Sequence, residues 1–186
     1  MIVITPEEIR DDEAPLICKI LQMGVSRVHL RHPATSIDDL RNIIREIPLE
    51  YRGRLTLHDH FELTADFPEL GVNINRRNPE LPLGRHGLVS RSCHSVEETS
   101  LTADYCLLSP IFPSFSKPGY STEFTDEELM QLPAAKVYAL GGIDCERIEA
   151  VKRYPFSGVA VLGSVWNKDT NAADVIRNVA KILERL

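Results

Sequence analysis

The stretch VYALGGI, residues 137–143, is a short apolar run that favours a β-strand and ends in two glycines, and a polar segment follows it. Seven further apolar runs of similar length occur along the chain. The eight runs occupy residues 2–5, 27–31, 55–59, 72–75, 88–92, 105–109, 137–140 and 159–162. Several have no polar face, which is typical of parallel strands covered on both sides. We therefore expect eight buried strands in a parallel sheet.

Between the runs lie amphipathic or polar stretches with helix signals. Ser36 is a candidate N-cap and Gly24 a candidate helix stop, while residues 95–98 carry a capping-box pattern. The predicted helices cover residues 7–23, a segment from 36 to 47, a segment beginning at 95, and residues 125–132, 144–153 and 174–186. Strands that alternate with helices predict repeated βα units. Eight such units favour a compact (β/α)₈ barrel, the TIM barrel, with a doubly wound open sheet as the alternative.

The chain is shorter than most barrels of this kind, and the missing length lies in the middle. Its 186 residues compare with the roughly 200–250 that are usual for the fold. The strands near Val72, Leu88 and Tyr105 begin too close together for full helices, and Pro79 and Pro82 interrupt the segment between the first two. We therefore expect one or more short or missing helices in the middle of the barrel, within a single domain spanning residues 1–186.

The composition argues against several classes of function. The formal net charge of −6 disfavours nucleic acid and anionic membranes as partners, and no apolar run approaches the roughly 18 residues of a membrane span. The N-terminal residues show no signal-peptide pattern, and the four cysteines have no metal-ligand spacing. We expect a cytoplasmic protein with reduced thiols that acts on small molecules. The sequence leaves open whether the chain forms a homo-oligomer.

Polar residues and glycines follow seven of the eight predicted strands. In a barrel the carboxyl ends of all strands meet at one rim, where the active sites of this fold lie. The residues at these ends are Arg31, His32, His58, Asp59, His60, Asn73, Asn75, Ser92, His94, the segment 109–119, Gly141, Gly142, Gly163 and Ser164. Each residue taken alone has an ordinary structural explanation, such as a salt bridge or a helix cap. Their common position indicates a site.

Two glycine-containing strand ends suit the binding of a phosphate. Gly141-Gly142 and Gly163-Ser164 each precede a predicted helix. Glycine lets backbone N–H groups approach a phosphate closely, and a helix N-terminus adds partial positive charge. The loops after strands seven and eight are the usual phosphate site of such barrels. We therefore predict phosphate-bearing small molecules as ligands.

Charged side chains at other strand ends extend this prediction. Arg31 and Lys117 would neutralise phosphate oxygens, Arg31 as a two-pronged donor and Lys117 as a point charge. Asp59 is a candidate oxygen ligand for Mg²⁺ that bridges phosphates. His94 would transfer a proton near neutral pH.

Seven short segments, in order along the chain, are similar to motifs of one known family. They read HLRHP at 29–33, HD at 58–59, GVNINRRN at 71–78, RSCHSVEE at 91–98, PSFSK at 113–117, GGI at 141–143 and VAVLGSV at 159–165. On these segments the chain resembles the thiamine phosphate synthase/TenI family. The resemblance implies a (β/α)₈ barrel that joins a pyrimidine diphosphate to a thiazole phosphate and releases pyrophosphate with Mg²⁺. A sibling branch, the thiazole tautomerases, isomerises a thiazole carboxylate phosphate without metal.

The motifs depart from the synthase pattern at several positions, of which two bear on the chemistry. Pro33 stands where the family has a lysine, and Asn78 stands where the resemblance implies a second metal-binding carboxylate. Arg31, Asp59 and Lys117 match the synthase motifs, whereas His94 matches the general acid/base of the tautomerase branch.

Three functions follow from this mixed pattern. The first is a thiamine phosphate synthase-like transferase, which the match at Asp59 and the loop around Lys117 favours. The second is a TenI-like tautomerase using His94, and the third is a non-catalytic regulator that binds thiazole or thiamin phosphate. The predicted site comprises Arg31, Lys117 and His94 as catalytic residues, Asp59 as the Mg²⁺ ligand, and His29, His58, Ser92, Ser114, Ser116, Gly141, Gly142, Leu162, Gly163 and Ser164 as substrate- and phosphate-binding residues.

Overall fold

The eight predicted strands form a closed parallel barrel in the computed structural model of the chain, which describes residues 1–113, 124–133, 136–166 and 170–186. The strands are β1 Ile2–Ile4, β2 Arg27–Leu30, β3 Leu55–Leu57, β4 Gly71–Ile74, β5 Val89–Cys93, β6 Tyr105–Leu108, β7 Val137–Leu140 and β8 Gly158–Val161. Neighbours in sequence pair with each other, and β8 closes the barrel against β1. The TIM-barrel prediction is confirmed. The open-sheet alternative is wrong, because every strand pairs with two neighbours, whereas an open sheet has two edge strands with one neighbour each.

Helices of uneven length lie between the strands. They are α1 Glu13–Gln22, α2 Ile37–Glu46, α3 Leu49–Arg52, α4 Asp126–Met130, α5 Ile148–Val151 and α6 Ala172–Leu183. Ser36 caps α2 as predicted, since its Oγ accepts a hydrogen bond from the Asp39 N–H at 3.1 Å. The first helix begins only at Glu13, because the Glu13 carboxylate accepts a hydrogen bond from the Arg10 N–H and holds the preceding residues in a loop.

The middle of the barrel has short crossovers, as the strand spacing predicts. Short 3₁₀ segments at Phe61–Ala65 and Glu97–Ser100 follow β3 and β5, and a loop without a helix joins β4 to β5. The capping-box pattern at residues 95–98 does not start an α-helix. The Glu98 carboxylate accepts a hydrogen bond from the His94 N–H at 2.6 Å rather than from the expected cap residue Ser95, and the segment that follows is a 3₁₀ turn.

The barrel interior has an apolar half and a polar half. Inside β1, β6 and β8 the buried cluster consists of Ile2, Ile4, Tyr105, Leu107 and Ala160. The strands β2 to β5 instead contribute buried polar side chains, namely His29, Thr56, Asn73 and Ser90. Because alternate residues of a strand point to the same face, the polar positions of these strands share the interior, and buried polar groups there require hydrogen-bond partners.

None of the helices in the described ranges is both long enough and apolar enough to cross a lipid bilayer.

Candidate functional site

A chain of buried aromatic side chains crosses the polar half of the barrel below the rim. The Nδ1 atom of His29 lies 2.8 Å from Nε2 of His58, and the Nε2 atom of His29 lies 2.7 Å from the hydroxyl of Tyr105. Thr56 continues the chain, with its Oγ1 3.3 Å from the same hydroxyl. His29 has no exposed surface, and its link to the rim is the hydrogen bond with the His58 ring. This chain fixes the position of the His58 ring.

Burial keeps both histidines of this chain neutral. Loss of solvation lowers the pKa of His29 well below its ordinary value, and electrostatic interactions with His58 and Arg27 lower it further. Burial also lowers the pKa of His58 to about 3, with additional contributions from the positive charges of Arg31 and Arg77. Two rim arginines therefore act electrostatically on one neutral imidazole.

These lowered pKa values predict a stability that depends on pH. A group whose folded pKa lies below its unfolded value near 6.5 stabilises the fold above pH 6.5, and this stabilisation is lost as the pH falls toward 3. Each pH unit in this window should remove up to about 1.4 kcal/mol of unfolding free energy per histidine. Urea titrations from pH 7 to pH 4 should show a steeper loss in the wild type than in His58→Gln, with His86→Gln controlling for removal of a histidine. Equal slopes for wild type and His58→Gln would contradict the assignment.

The predicted metal ligand Asp59 is bound by an arginine of the next strand end. Arg77 donates from Nε at 3.1 Å and from Nη2 at 2.9 Å to Oδ1 of Asp59, and Nη2 also lies 3.3 Å from Oδ2. The Nδ2 of Asn78 lies 3.3 Å from the same Oδ1 and donates to the His58 carbonyl at 2.9 Å. The Asp59 side chain is only 10% exposed, whereas that of Arg77 is 47% exposed.

These contacts do not fit a magnesium site. Mg²⁺ requires oxygen ligands, and the guanidinium of Arg77 takes up both oxygens of Asp59. At the second expected ligand position, Asn78 directs N–H donors rather than a carboxylate toward Asp59. Within the described ranges, no three His, Cys, Asp or Glu side chains are grouped to hold a metal ion.

Arg31 lies at the rim, while the residue after it is buried. The Nη1 atom of Arg31 donates to the Glu7 carboxylate at 2.7 Å, and its side chain is 20% exposed. His32 is fully buried, and its Nε2 lies 2.6 Å from the buried carboxylate of Glu13. It therefore cannot take the place of the lysine that is missing at Pro33, because it points into the packing between β1 and α1.

The loop after β6 packs tightly on the end of β7. The N–H of Ile111 donates to the Leu140 carbonyl at 2.9 Å, and the N–H of Phe112 donates to the Gly141 carbonyl at 3.1 Å. Gly142 has φ +60°, and a Cβ atom there would lie 2.4 Å from the Pro113 carbonyl oxygen. The two glycines thus allow a close approach of the loop that leads into residues 114–117.

His94 is held against the start of that loop. Its ring Nδ1 lies 3.0 Å from the Ser109 carbonyl oxygen, so Nδ1 carries the hydrogen that this bond requires. His94 follows β5 and Ser109 follows β6, so the contact joins two neighbouring strand ends.

The end of β8 forms a turn rather than the start of a long helix. The N–H groups of Val165 and Trp166 both donate to the Leu162 carbonyl at 3.0 Å, whereas α6 begins only at Ala172. The dipole of a long helix is therefore not aimed at Gly163. The Ser164 Oγ is buried and has no hydrogen-bond partner within the described residues. A buried hydroxyl without a partner is costly unless a ligand or water satisfies it.

The structure sorts the predicted site residues into three groups. Arg31, His58 and Asp59 follow the neighbouring strands β2 and β3, and His29 and Ser92 lie within the polar interior, where Ser92 accepts a hydrogen bond from Asn73 at 2.9 Å. The ends of β5, β7 and β8 carry His94, Gly141, Gly142, Leu162, Gly163 and Ser164. The predicted residues Ser114, Ser116 and Lys117 lie outside the described residues.

Sequence reasoning missed two residues of this arrangement. Arg77 was visible as one of two arginines directly before Asn78, but only its contact with Asp59 shows its role. Tyr105 is the first residue of an apolar run and gives no sign of a polar role in the sequence, but its hydroxyl links His29 to Thr56 in the buried chain.

The fold places the chain among (β/α)₈ barrel proteins, with polar residues and glycines at the carboxyl ends of its strands. The chain also matches the family model described as thiamine monophosphate synthase over residues 1–165. It is 34% identical to the solved thiamine phosphate pyrophosphorylase from Bacteroides thetaiotaomicron, with a TM-score of 0.85 over 100% of this chain and 96% of that one. The chain belongs to the thiamine monophosphate synthase family.

Two curated relatives agree with this assignment. The thiamine-phosphate synthase of Dictyoglomus turgidum is 24% identical over 185 residues, covering 91% of this chain and 82% of the relative. The thiamine-phosphate synthase of Enterobacter sp. (strain 638) is 28% identical over 193 residues, covering 93% and 88%. The predicted membership of the thiamine phosphate synthase family, whose members are transferases, is confirmed. These comparisons do not favour the tautomerase alternative.

Proposed function

We propose that the barrel mouth joins a hydroxymethylpyrimidine diphosphate to a thiazole phosphate and releases pyrophosphate. The C–O bond between the pyrimidine methylene and the diphosphate breaks, and its electron pair leaves with pyrophosphate. The thiazole nitrogen lone pair then forms the new C–N bond to the methylene carbon. The four free thiols suit a cytoplasmic enzyme.

The observation that carries this proposal is the pair of arginines at the ends of β2 and β4. Arg31 follows β2, and Arg77 is bound to Asp59 after the neighbouring strand β3, so both arginines lie at the same group of adjacent strand ends. Negative charge develops on the diphosphate as it leaves, and positively charged groups fixed beforehand stabilise that charge. The opposite part of the mouth, with Gly142 and the buried Ser164 hydroxyl, suits the single phosphate of the thiazole.

The test is a direct assay of the purified chain. Mixed with pyrimidine diphosphate and thiazole phosphate, with Mg²⁺ in one series and EDTA in another, it should release pyrophosphate and form thiamin phosphate. Arg31→Ala should lower kcat/KM by about 100-fold, the effect of removing one group that stabilises developing charge. Arg45→Ala, on the exposed face of α2, is the matched control and should change the rate less than twofold.

Two results would overturn the proposal. One is the absence of pyrophosphate release in both series at high enzyme concentration. The other is isomerisation of the thiazole phosphate that persists in EDTA and disappears in His94→Ala, which would assign the chain to the tautomerase reaction instead.

A further inference from the structure

We propose that the guanidinium of Arg77 takes the place of a divalent cation at this mouth, so that pyrophosphate is bound and released without metal. This inference rests on the proposed synthase reaction for its biological setting. Its physical basis is the Asp59–Arg77–Asn78 cluster, which is built differently from a magnesium site.

The cluster holds the arginine side chain in place and leaves part of it available. Asp59 binds Nε and Nη2 of Arg77, and the carboxylate itself is almost buried. The Nη1 group of Arg77 has no hydrogen-bond partner in the described part of the chain, and nearly half of the side chain is exposed. A planar guanidinium with unused N–H donors is a geometric match for phosphate oxygens.

The loop after β4 is shaped to present this arginine. The Asn75 Oδ1 accepts hydrogen bonds from the backbone N–H of Arg77 at 3.0 Å and of Asn78 at 3.2 Å, and the Asn75 Nδ2 donates to the His58 carbonyl at 2.9 Å. The turn is thereby tied to the end of β3, next to Asp59. Arg77 is therefore placed at the rim by an ordered loop.

Asn78 provides a second, independent argument. Its Nδ2 faces two acceptors, the His58 carbonyl at 2.9 Å and the Asp59 Oδ1 at 3.3 Å. A carboxylate in this position would face both acceptors with negative charge, which only a cation between them would relieve. The amide is thus the group that this geometry requires when an arginine, and not a metal, neutralises Asp59.

The charge of the site is balanced without a metal. Two carboxylates with one divalent cation sum to zero, and so do the Asp59 carboxylate and the Arg77 guanidinium. The net charge that an incoming diphosphate meets is therefore the same as at a site with two carboxylates and one divalent cation. Here hydrogen-bond donors replace the metal ion.

Calorimetry with inorganic pyrophosphate tests this inference separately from turnover. The wild-type chain should bind pyrophosphate with the same affinity, within about twofold, in EDTA and in Mg²⁺. Arg77→Gln should weaken binding at least tenfold in EDTA, while Arg76→Gln, which removes the neighbouring exposed arginine of the same loop, should stay within twofold of wild type. Circular dichroism and thermal unfolding of each variant verify that the loss is not caused by unfolding.

A reversal experiment sharpens the result. The double variant Arg77→Gln with Asn78→Asp should bind pyrophosphate better in Mg²⁺ than in EDTA by at least tenfold, because two carboxylates then face one another. The inference is overturned if wild-type binding requires Mg²⁺, if no pyrophosphate binding occurs in either buffer, or if Arg77→Gln binds as tightly as Arg76→Gln. Failure of the proposed reaction would look different: no thiamin phosphate in either buffer, although pyrophosphate binding still depends on Arg77.

Discussion

The Gly142→Ala variant should have an unfolding free energy about 3 kcal/mol lower than that of the wild type. Its kcat/KM should fall at least about 100-fold. Part of the stability loss comes from φ +60°, which an L-residue adopts only at a cost of roughly 1–2 kcal/mol. The rest comes from the new Cβ atom, which would lie 2.4 Å from the Pro113 carbonyl oxygen and 2.8 Å from the Phe112 Cβ. Either the loop after β6 or the end of β7 must move.

The loss of activity follows from where that loop leads. Pro113 directly precedes the segment 114–117, which carries the predicted hydroxyls and Lys117. A displacement of about 1 Å at a site that positions reacting groups lowers rates by about 100-fold. Urea unfolding and the pyrophosphate-release assay measure the two effects on the same preparation.

Gly24→Ala is the matched control for this experiment. Gly24 also has a positive φ, +97°, but a Cβ atom there meets nothing within 4 Å. Its replacement should cost about 1 kcal/mol of stability through backbone strain and leave the rate unchanged. Similar activity losses in the two variants would show that the contact between the loop after β6 and β7 does not control the site.

His32→Ala should lower the unfolding free energy by about 3 kcal/mol, because it leaves the Glu13 carboxylate buried without its partner. His32 has no exposed surface and Glu13 is 1% exposed, so water cannot replace the hydrogen bond that the Glu13 carboxylate loses. The Thr5 Oγ1, which lies 3.1 Å from the His32 ring and accepts a hydrogen bond from the Arg31 N–H at 2.9 Å, loses a partner at the same time. Arg31 should therefore also become less well positioned.

A double-mutant cycle separates the interaction energy between His32 and Glu13 from the packing that is lost when either side chain is removed. Removing Glu13 together with His32 should cost less than the sum of the two single variants, since neither buried group is then left unpaired. The exposed pair of Arg177 with Asp174 on α6 is the control, and Arg177→Ala should change the unfolding free energy by no more than about 1 kcal/mol. Additive effects of His32→Ala and Glu13→Ala would refute the coupling.

The barrel and its shortened middle were predictable because both depend on local properties of the chain. Eight apolar runs bury their backbone only when paired side by side, and the spacing of Val72, Leu88 and Tyr105 leaves no room for full helices. The site was less predictable. The sequence indicates that polar groups follow the strands, but the tilt and stagger of barrel strands decide which of them reach the rim. His29, for example, is fully buried and bonded to His58 and Tyr105, which its sequence position within an apolar run does not indicate.

The stretch 137–143 shows most clearly which features follow from local sequence and which depend on contacts in the folded barrel. Its composition alone determined a buried strand that ends in a turn, because valine, alanine and leucine favour burial and two glycines permit positive φ. The group that the glycines accommodate, the backbone of the loop after β6, is visible only in the folded barrel. The same holds for Asp59 and Arg77, whose residue types are in the sequence but whose pairing exists because β3 and β4 are neighbours in the barrel. Contacts between strand ends depend on closure of the sheet, which no local stretch encodes.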